Sequence, residues 1–417
     1  MGSLMLLGVR VLFIHQNFPA QFCHLAPALA AAGHEVKALA IQPRAKVPGV
    51  TTLAYSVTRS STKGVHPWAV DFESKTIRAE GIAQKMLELK KSGFNPDIVV
   101  GHPGWGETWL VKDIWPEAPL LAYQEFFYGA DTTFDPEFVS KNPESRWRIR
   151  IKNASILVGL EGMDWGMSPT MWQRAQFPRH YRDKISVVFD GIDTDVICPS
   201  SSAHAKVGSP PLTLKQGDEV VTFISRNLEP YRGYHSFMRA LPKLFELRPT
   251  ARVVIIGGDE RGYGSVPESG TWRQLFLDEV RGRVDHSRIH FVGRVSRELL
   301  LALYQVSACH VYLTYPFVLS WSMLESMSAG GLIVGSRTAP VEEVISHGEN
   351  GLIVDFFDAD AIAHQVAEVL ATPERFFAMR QAARSTIVER YDLKRFCLPK
   401  QLALVDAVAA RQLPPRS

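Results

Sequence analysis

The sequence predicts an α/β protein of two doubly wound domains, each a parallel sheet with helices on its faces. Three observations carry this. Its 417 residues are too many for one ordinary core and suit two domains of similar size. In both halves short apolar runs alternate with stretches of helical apolar spacing, the pattern of right-handed strand–helix–strand crossovers. Between the halves lies a run of small residues and prolines, 200–211 (SSSAHAKVGSPP), composed like a loop. The expected organisation is a first domain over 8–200, a linker over 201–211 and a second domain over 212–390. A C-terminal helix within 391–417 should cross back to the first domain.

In the first half, strands are expected over 9–15, 34–40, 97–102 and 120–123. Helices are expected over 22–32, stopped by Gly33, and over 79–91, stopped by Asn95-Pro96; glycine caps and prolines end helices. In the second half strands are expected over 219–224, 251–256, 289–292, 310–313 and 332–335. Helices should fill 234–246, 297–304 and 321–329. The stretch 396–412 (FCLPKQLALVDAVAARQ) has helical apolar spacing.

Composition narrows the class. Hydrophobic content of 46% with 21% charged residues is that of a packed globular chain, and a net charge of +3 gives no dominant basic field for a nucleic acid. Cys23, Cys198, Cys309 and Cys397 are scattered without a CxxC pair and read as thiols of a reducing compartment. The apolar start, 4–14, is broken by Gly8 and Arg10 and is too short to span a bilayer. A cytoplasmic protein is expected, with peripheral contact to the inner face of a membrane left open.

Open parallel sheets bind ligands beyond the carboxyl ends of their strands, so the residues just after each strand are the candidates. In the first half these include Asn17, Pro19, Gln21, His102, Glu107, Gln124 and Glu125; in the second, Gly258, Gly293, Arg294 and Val295. In 224–233 (ISRNLEPYRG), Arg226 and Arg232 lie across a turn that enters a helix. A diphosphate needs fixed positive charge and bidentate donors, which arginine supplies, and a helix N-terminus favours an anion. Two solvated surface arginines would look the same in isolation. In 314–325 (TYPFVLSWSMLE) a loop holding Phe317, Leu319, Ser320 and Trp321 enters a helix that carries Glu325. Free N–H groups there can hold phosphate oxygens, and Glu325 could accept ribose hydroxyls; alone, it reads rather as a helix-surface glutamate.

Taken together, the ordered segments 33–36 (GHEV), 94–102 (FNPDIVVGH), 166–170 (GMSPT), 184–193 (KISVVFDGID), 324–330 (LESMSAG), 343–345 (EVI) and 348–354 (GENGLIV) resemble the retaining glycosyltransferases of family 4, the group 1 glycosyl transferases. The resemblance covers nearly the whole chain. It implies the GT-B fold, two Rossmann-like domains facing across a cleft, and transfer of a hexose from a UDP- or GDP-linked donor to a glycan, lipid-linked or small-molecule acceptor. By position it assigns Arg226 and Arg232 to the donor diphosphate, Glu325 to the ribose and His102 to the transferred sugar. Three positions depart from the pattern. Phe317 stands where the first of two glutamates spaced eight apart belongs, Asn17-Phe18-Pro19-Ala20-Gln21 replaces a glycine pair, and Asp190 replaces an asparagine.

No cofactor and no essential metal are expected. The DxD runs 193–195 and 358–360 read as chance and as a helix cap, and the arginines with a helix N-terminus would stabilise the leaving diphosphate instead. The basic stretch 142–153 (NPESRWRIRIKN) alternates Arg146, Arg148, Arg150 and Lys152 with Trp147, Ile151 and their neighbours. Strict alternation fits a strand or loop better than a helix, and a solvated face explains it, with anionic lipid the other reading. Two other functions stay open: an epimerase of the same fold, for which Glu107 and Glu125 would be the acids, and a degenerate sugar-nucleotide binder.

Overall fold

The computed structural model describes residues 8–43, 46–129, 134–139 and 142–414. Residues 4–7 of the apolar start and 415–417 of the C-terminal stretch lie outside them. The chain forms two compact units. The first holds residues up to 133, Val139–Gly191 and the C-terminal stretch from Lys394; the second holds Phe134–Phe138 and Ile192–Leu393.

The first unit contains β1 (Arg10–Ile14), α1 (Leu25–Ala31), β2 (Glu35–Ala40), β3 (Val50–Ala54), α2 (Val70–Lys91), β4 (Ile98–Gly101), α3 (Val111–Ile114), β5 (Leu120–Tyr123), α4 (Pro143–Glu161), β6 (Trp165–Ser168), α5 (Met171–Gln176), α6 (Arg179–Arg182) and β7 (Ile185–Val187). Its strands are parallel in the order β3-β2-β1-β4-β5-β6-β7. Alternate residues of β1 face opposite layers. Val11 and Phe13 pack with Phe22, Leu25 and Leu29, while Leu12 and Ile14 pack with Ile82 and Met86 of α2.

The second unit contains β8 (His204–Val207), β9 (Leu212–Lys215), β10 (Val220–Asn227), α7 (Tyr234–Leu247), β11 (Arg252–Gly258), α8 (Trp272–Glu279), β12 (Ile289–Gly293), α9 (Arg297–Val306), β13 (Cys309–Tyr312), α10 (Trp321–Ser328), β14 (Ile333–Ser336), α11 (Ala339–Glu342), β15 (Leu352–Val354), α12 (Ala359–Ala371) and α13 (Phe377–Arg390). Its main sheet is parallel, ordered β12-β11-β10-β13-β14-β15. Both orders reverse direction beside their first strand, at β1/β4 and β10/β13, the switch points where such sheets bind ligands. After α13 the chain returns to the first unit, where α14 (Leu398–Ala409) buries Leu404, Val405 and Val408 against Phe22 and Leu25. The Gln401 amide donates to the Phe189 and Asp190 carbonyls at 3.0 and 3.2 Å.

Three local expectations are corrected. The basic stretch is neither strand nor loop but the first part of α4. Asn142 caps it by accepting from the Glu144 N–H at 3.1 Å, with Pro143 in the first turn, where proline's missing N–H costs nothing. The run 201–211, expected as a linker, contributes β8. With β9 it forms an antiparallel pair whose Ala205, Val207 and Leu214 pack with Leu303 and Val306 of α9. The passage between units falls instead at Gly191 and Ile192. The helix expected over 22–32 is also shorter: a 3-10 turn at Ala20–Phe22 precedes α1.

Candidate functional site

In the second unit, the site is built at the carboxyl ends of β10, β11 and β13. Strand β10 runs through Arg226 and ends at Asn227, whose register partner is Gly258 at the end of β11. A 3-10 turn, Pro230–Arg232, then leads into α7 through Gly233. Gly233 has φ +68°, and a Cβ there would collide with Leu313, so both backbone conformation and space require glycine.

The two arginines differ. Arg226 is exposed. Arg232 is buried, and its Nη1 donates to Thr314 Oγ1 at 3.0 Å and the Val318 carbonyl at 2.8 Å. Its guanidinium lies 5.4 Å from the ring centres of both Tyr263 and Phe317. Among the described residues no carboxylate forms an ion pair with it, which leaves a costly buried charge.

Phe317 belongs to an aromatic cluster. Its ring is 5.4 Å from Tyr231 and 4.8 Å from Tyr263, and Tyr231 is 4.6 Å from Tyr315. The place of the expected glutamate is therefore filled by a buried ring under Arg232.

Ser320 caps α10, accepting from the Ser322 N–H at 3.3 Å, while its own N–H donates to the Tyr312 hydroxyl at 2.7 Å. Leu319 is buried and Trp321 is partly exposed beside it. Glu325 is buried in the next turn. It accepts from Arg297 at 2.6 Å through Oε1 and from the Tyr304 hydroxyl at 2.9 Å through Oε2. Burial, reinforced by the charge and hydrogen bond of Glu325, pushes the Tyr304 hydroxyl far above the usual tyrosine range.

Gly293 ends β12 with φ +63°. Arg294 reaches from there to Glu260 at 2.8 Å, and Val295 packs on the cluster under β8. Two acids went unnoticed in the sequence. Glu229, buried in the arginine turn, accepts from the Tyr263 and Gly264 N–H groups at 2.8 and 3.1 Å. Burial raises its pKa against those bonds. Asp135 lies 3.0 Å from His235 Nε2 and accepts from the Tyr315 hydroxyl at 2.6 Å. Burial opposes its charge, but the adjacent His235 ring and the bond from Tyr315 prevail and hold it at about 2. Glu229 lies within 224–233, where its spacing from Arg232 is legible; nothing in the local pattern marks Asp135.

In the first unit the register Ile14↔Gly101 brings the next residues, His15 and His102, side by side with ring centres 5.4 Å apart. His102 is buried and stacks on Trp105 at 4.4 Å and Tyr123 at 5.5 Å. Its Nδ1 accepts from the Gly104 N–H at 3.1 Å, so in the neutral ring the proton sits on Nε2. Nε2 faces Glu125 Oε2 at 3.5 Å, and Gln21 donates to Glu125 Oε1 at 3.2 Å. Asn17 turns its N–H to His15 Nδ1 at 2.9 Å, and Pro19, joined to Phe18 by a cis peptide, leads into the turn carrying Gln21. Gln124 does not join them: it is buried and donates to Met163 Sδ at 3.2 Å. Glu107 is buried nearby, bonded to the Tyr55 hydroxyl at 2.8 Å, with its pKa raised by burial.

Asp358 of the second DxD run caps α12, accepting from the Ala361 N–H at 2.8 Å, which is its structural role. A cavity of 660 Å³ in the second unit, lined by Asp218, Ala308 and Gly330, lies at the amino ends of β10, β13 and β14, away from these residues. Among the described residues no helix is long and apolar enough to cross a membrane.

Known proteins agree with this architecture. The glycosyl transferase family 4 group matches residues 32–197 and the glycosyl transferases group 1 matches residues 209–386. The chain is 25% identical over 280 residues to a D-inositol 3-phosphate glycosyltransferase of Corynebacterium glutamicum, covering 66% of this chain and 63% of that protein. It is 25% identical over 240 residues to a GDP-mannose-dependent alpha-(1-6)-phosphatidylinositol monomannoside mannosyltransferase of Mycobacterium tuberculosis, covering 55% and 59%. A sucrose-phosphate synthase from Thermosynechococcus elongatus superposes with a TM-score of 0.72 at 16% identity, over 96% of this chain and all of that one. The fold is that of the GT-B glycosyltransferases. With both halves matched in order, the chain belongs to the glycosyl transferase family 4 group, its second half a group 1 glycosyl transferase domain.

Proposed function

We propose that this glycosyltransferase moves a hexose from a UDP- or GDP-linked donor with retention of anomeric configuration and without an essential metal. The observation that carries the reading is Arg232, a buried guanidinium with no ion-paired carboxylate among the described residues, at a switch-point edge where ligands of such sheets bind. A diphosphate supplies the charge it lacks. Arg226 and the N–H groups in the first turn of α10 would share the negative charge that grows on the leaving β-phosphate. Glu325 would hold the ribose. His102, fixed by Gly104 and its ring stack, would position the sugar. The departing phosphate oxygen would then take the proton of the acceptor hydroxyl.

The acceptor in this reading is a glycan, a lipid-linked sugar or a small polyol. The names of the two curated relatives, inositol 3-phosphate and a phosphatidylinositol monomannoside, favour a polyol phosphate or its lipid-linked form. The cytoplasm is the proposed compartment, where the four thiols stay reduced.

The test is transfer from UDP- and GDP-sugars to these acceptors, with and without a chelator, with product configuration read from the anomeric proton coupling. A retained product formed in chelator supports the proposal. An inverted product overturns retention, and loss of turnover in chelator overturns metal independence. A second reading, an epimerase, is favoured by Glu125 at 3.5 Å from His102 Nε2 and by buried Glu107. Conversion of the donor sugar in the absence of any acceptor would select it.

A further inference from the structure

Arg232 is held from two sides. Its backbone runs through Gly233 into α7, and its guanidinium rests on the loop 314–318 through Thr314 and Val318. One buried carboxylate, that of Asp135, touches both sides. Its Oδ2 accepts from the hydroxyl of Tyr315 in that loop at 2.6 Å. The same oxygen lies 3.0 Å from Nε2 of His235, in the first turn of α7. Its Oδ1 accepts from the N–H groups of Glu137 and Phe138 at 2.9 and 3.3 Å, which fixes the direction of the carboxylate. From Tyr315 the path to the arginine is short. The Tyr315 N–H donates to the Tyr231 carbonyl at 2.9 Å, and the two rings lie 4.6 Å apart, with Tyr231 immediately before Arg232. The segment Phe134–Phe138 has other anchors in the second unit. Phe134 stacks on Phe357 at 5.2 Å, Phe138 meets Trp272 at 5.1 Å, and Glu137 forks onto Arg239 with two bonds of 2.7 Å. Those rings and that surface ion pair hold the segment without a buried charge. The charge of Asp135 adds something else: it fixes a hydroxyl and an imidazole on either side of Arg232.

We infer that Asp135 is a positioning residue for the donor diphosphate: it sets the loop 314–318 against the first turn of α7, so that the guanidinium of Arg232 keeps the direction in which it meets phosphate. The inference rests on the assignment of Arg232 to the donor diphosphate, and Asp135 acts only through that arginine. A planar guanidinium fork binds phosphate oxygens well only when it is aligned with them. A fork fixed before the ligand arrives also loses less freedom on binding. Without its bond to Asp135, Tyr315 no longer pins the loop, and the two oxygens that orient the guanidinium gain freedom with it.

The experiment is calorimetric titration of the full chain with UDP and with GDP, the tighter of the two being carried through the variants, with thermal midpoints alongside. Asp135→Asn should weaken binding about tenfold, the scale of one charge-assisted hydrogen bond. Tyr315→Phe removes only the hydroxyl and should weaken it about fivefold; it carries the comparison if the asparagine variant does not fold. Glu137→Gln breaks the surface pair with Arg239 on the same segment and should bind as the parent does. In an Arg232→Ala background, Asp135→Asn should cause no further loss, because the group it positions is gone. A purely structural role would add its full loss in that background, and this result overturns the inference. So does parent-like affinity in both Asp135→Asn and Tyr315→Phe while Arg232→Ala binds weakly, which leaves the diphosphate assignment standing. Parent-like affinity in Arg232→Ala itself removes that assignment, and the positioning role with it.

Discussion

The carboxylate of Glu229 occupies the space that a side chain at residue 262 would need, so that a Cβ on Gly262 would collide with it. The contact ties the loop after β11 to the arginine turn, because the same carboxylate accepts the N–H groups of Tyr263 and Gly264. Tyr263 in turn lies over Arg232. Gly262→Ala should cost about 1–3 kcal/mol of stability through overpacking. In a Glu229→Ala background the same change should cost much less, and a double-mutant cycle by denaturant unfolding measures that coupling.

Glu229 also gives a pH dependence. Its native pKa is raised by burial, so the folded state keeps the proton to higher pH than the unfolded state. Stability from this group is therefore present at low pH and is lost as pH rises from the ordinary glutamate value, about 4.3, to the raised native one. Glu229→Gln keeps an acceptor for both N–H groups and should remove this component of the slope in the thermal midpoint. Asp135 has the opposite sign. Its native pKa, about 2, lies below the unfolded value, so its stabilisation is present above about pH 4 and is lost as pH falls toward 2. Asp135→Asn should flatten that acid limb.

The burial difference between the two arginines should separate their effects. Arg232→Ala should reduce kcat/KM by at least about 30-fold, since truncating one partner of a buried charge pair costs 2–5 kcal/mol or more. Arg226→Ala should act less strongly, because an exposed side chain is already solvated before the donor arrives. Thermal midpoints alongside the kinetics separate loss of turnover from loss of fold; equal effects at both positions would contradict the assignment.

For Glu325, the neutral Glu325→Gln keeps the shape of α10 but removes the charge that Arg297 and Tyr304 face. Calorimetric affinity for both UDP and GDP should fall by about tenfold, the scale of one charge-assisted hydrogen bond. Unchanged affinity for both would take Glu325 out of the ribose site.

His102 has two roles that one substitution can part. Its Nδ1 caps the turn by accepting from Gly104, and its ring forms the stack with Trp105 and Tyr123. His102→Asn retains a capping acceptor and removes the ring. Transfer should slow by at least about a hundredfold, the lower range for a lost positioning or proton-bearing group, with the thermal midpoint close to that of the parent. His102→Ala should lower both. Equal transfer rates in the asparagine variant and the parent would leave His102 with a purely structural role.

Much of the fold was legible because buried parallel strands announce themselves. Runs such as Leu120–Tyr123 and Ile98–Gly101 are wholly buried, so their residues must be apolar on both faces, and glycine or proline punctuation separates them from helices. The short edge strands β3, β7 and β15 were missed because three to five residues carry little periodicity. Helix α4 was misread for a definite reason. Its arginines alternate with Trp147, Ile149 and Ile151 at the period of a strand, while the deciding signal, the cap and first turn at Asn142-Pro143, lies just before the alternation begins.

The sequence by itself determined the strand–helix alternation, the post-strand loops and the arginine–glutamate series of the family. These are local patterns, in which residue type, spacing and burial of one segment suffice. Only the tertiary structure decided which of those residues differ in kind. It buried Arg232 and left Arg226 in solvent, put a phenylalanine ring beneath Arg232 where a glutamate was expected, and gave Glu325 two partners from α9. It set Asp135 against His235, a hundred positions later in the chain. Desolvation and charge pairing depend on neighbours brought together by packing, and distance along the chain carries no information about them.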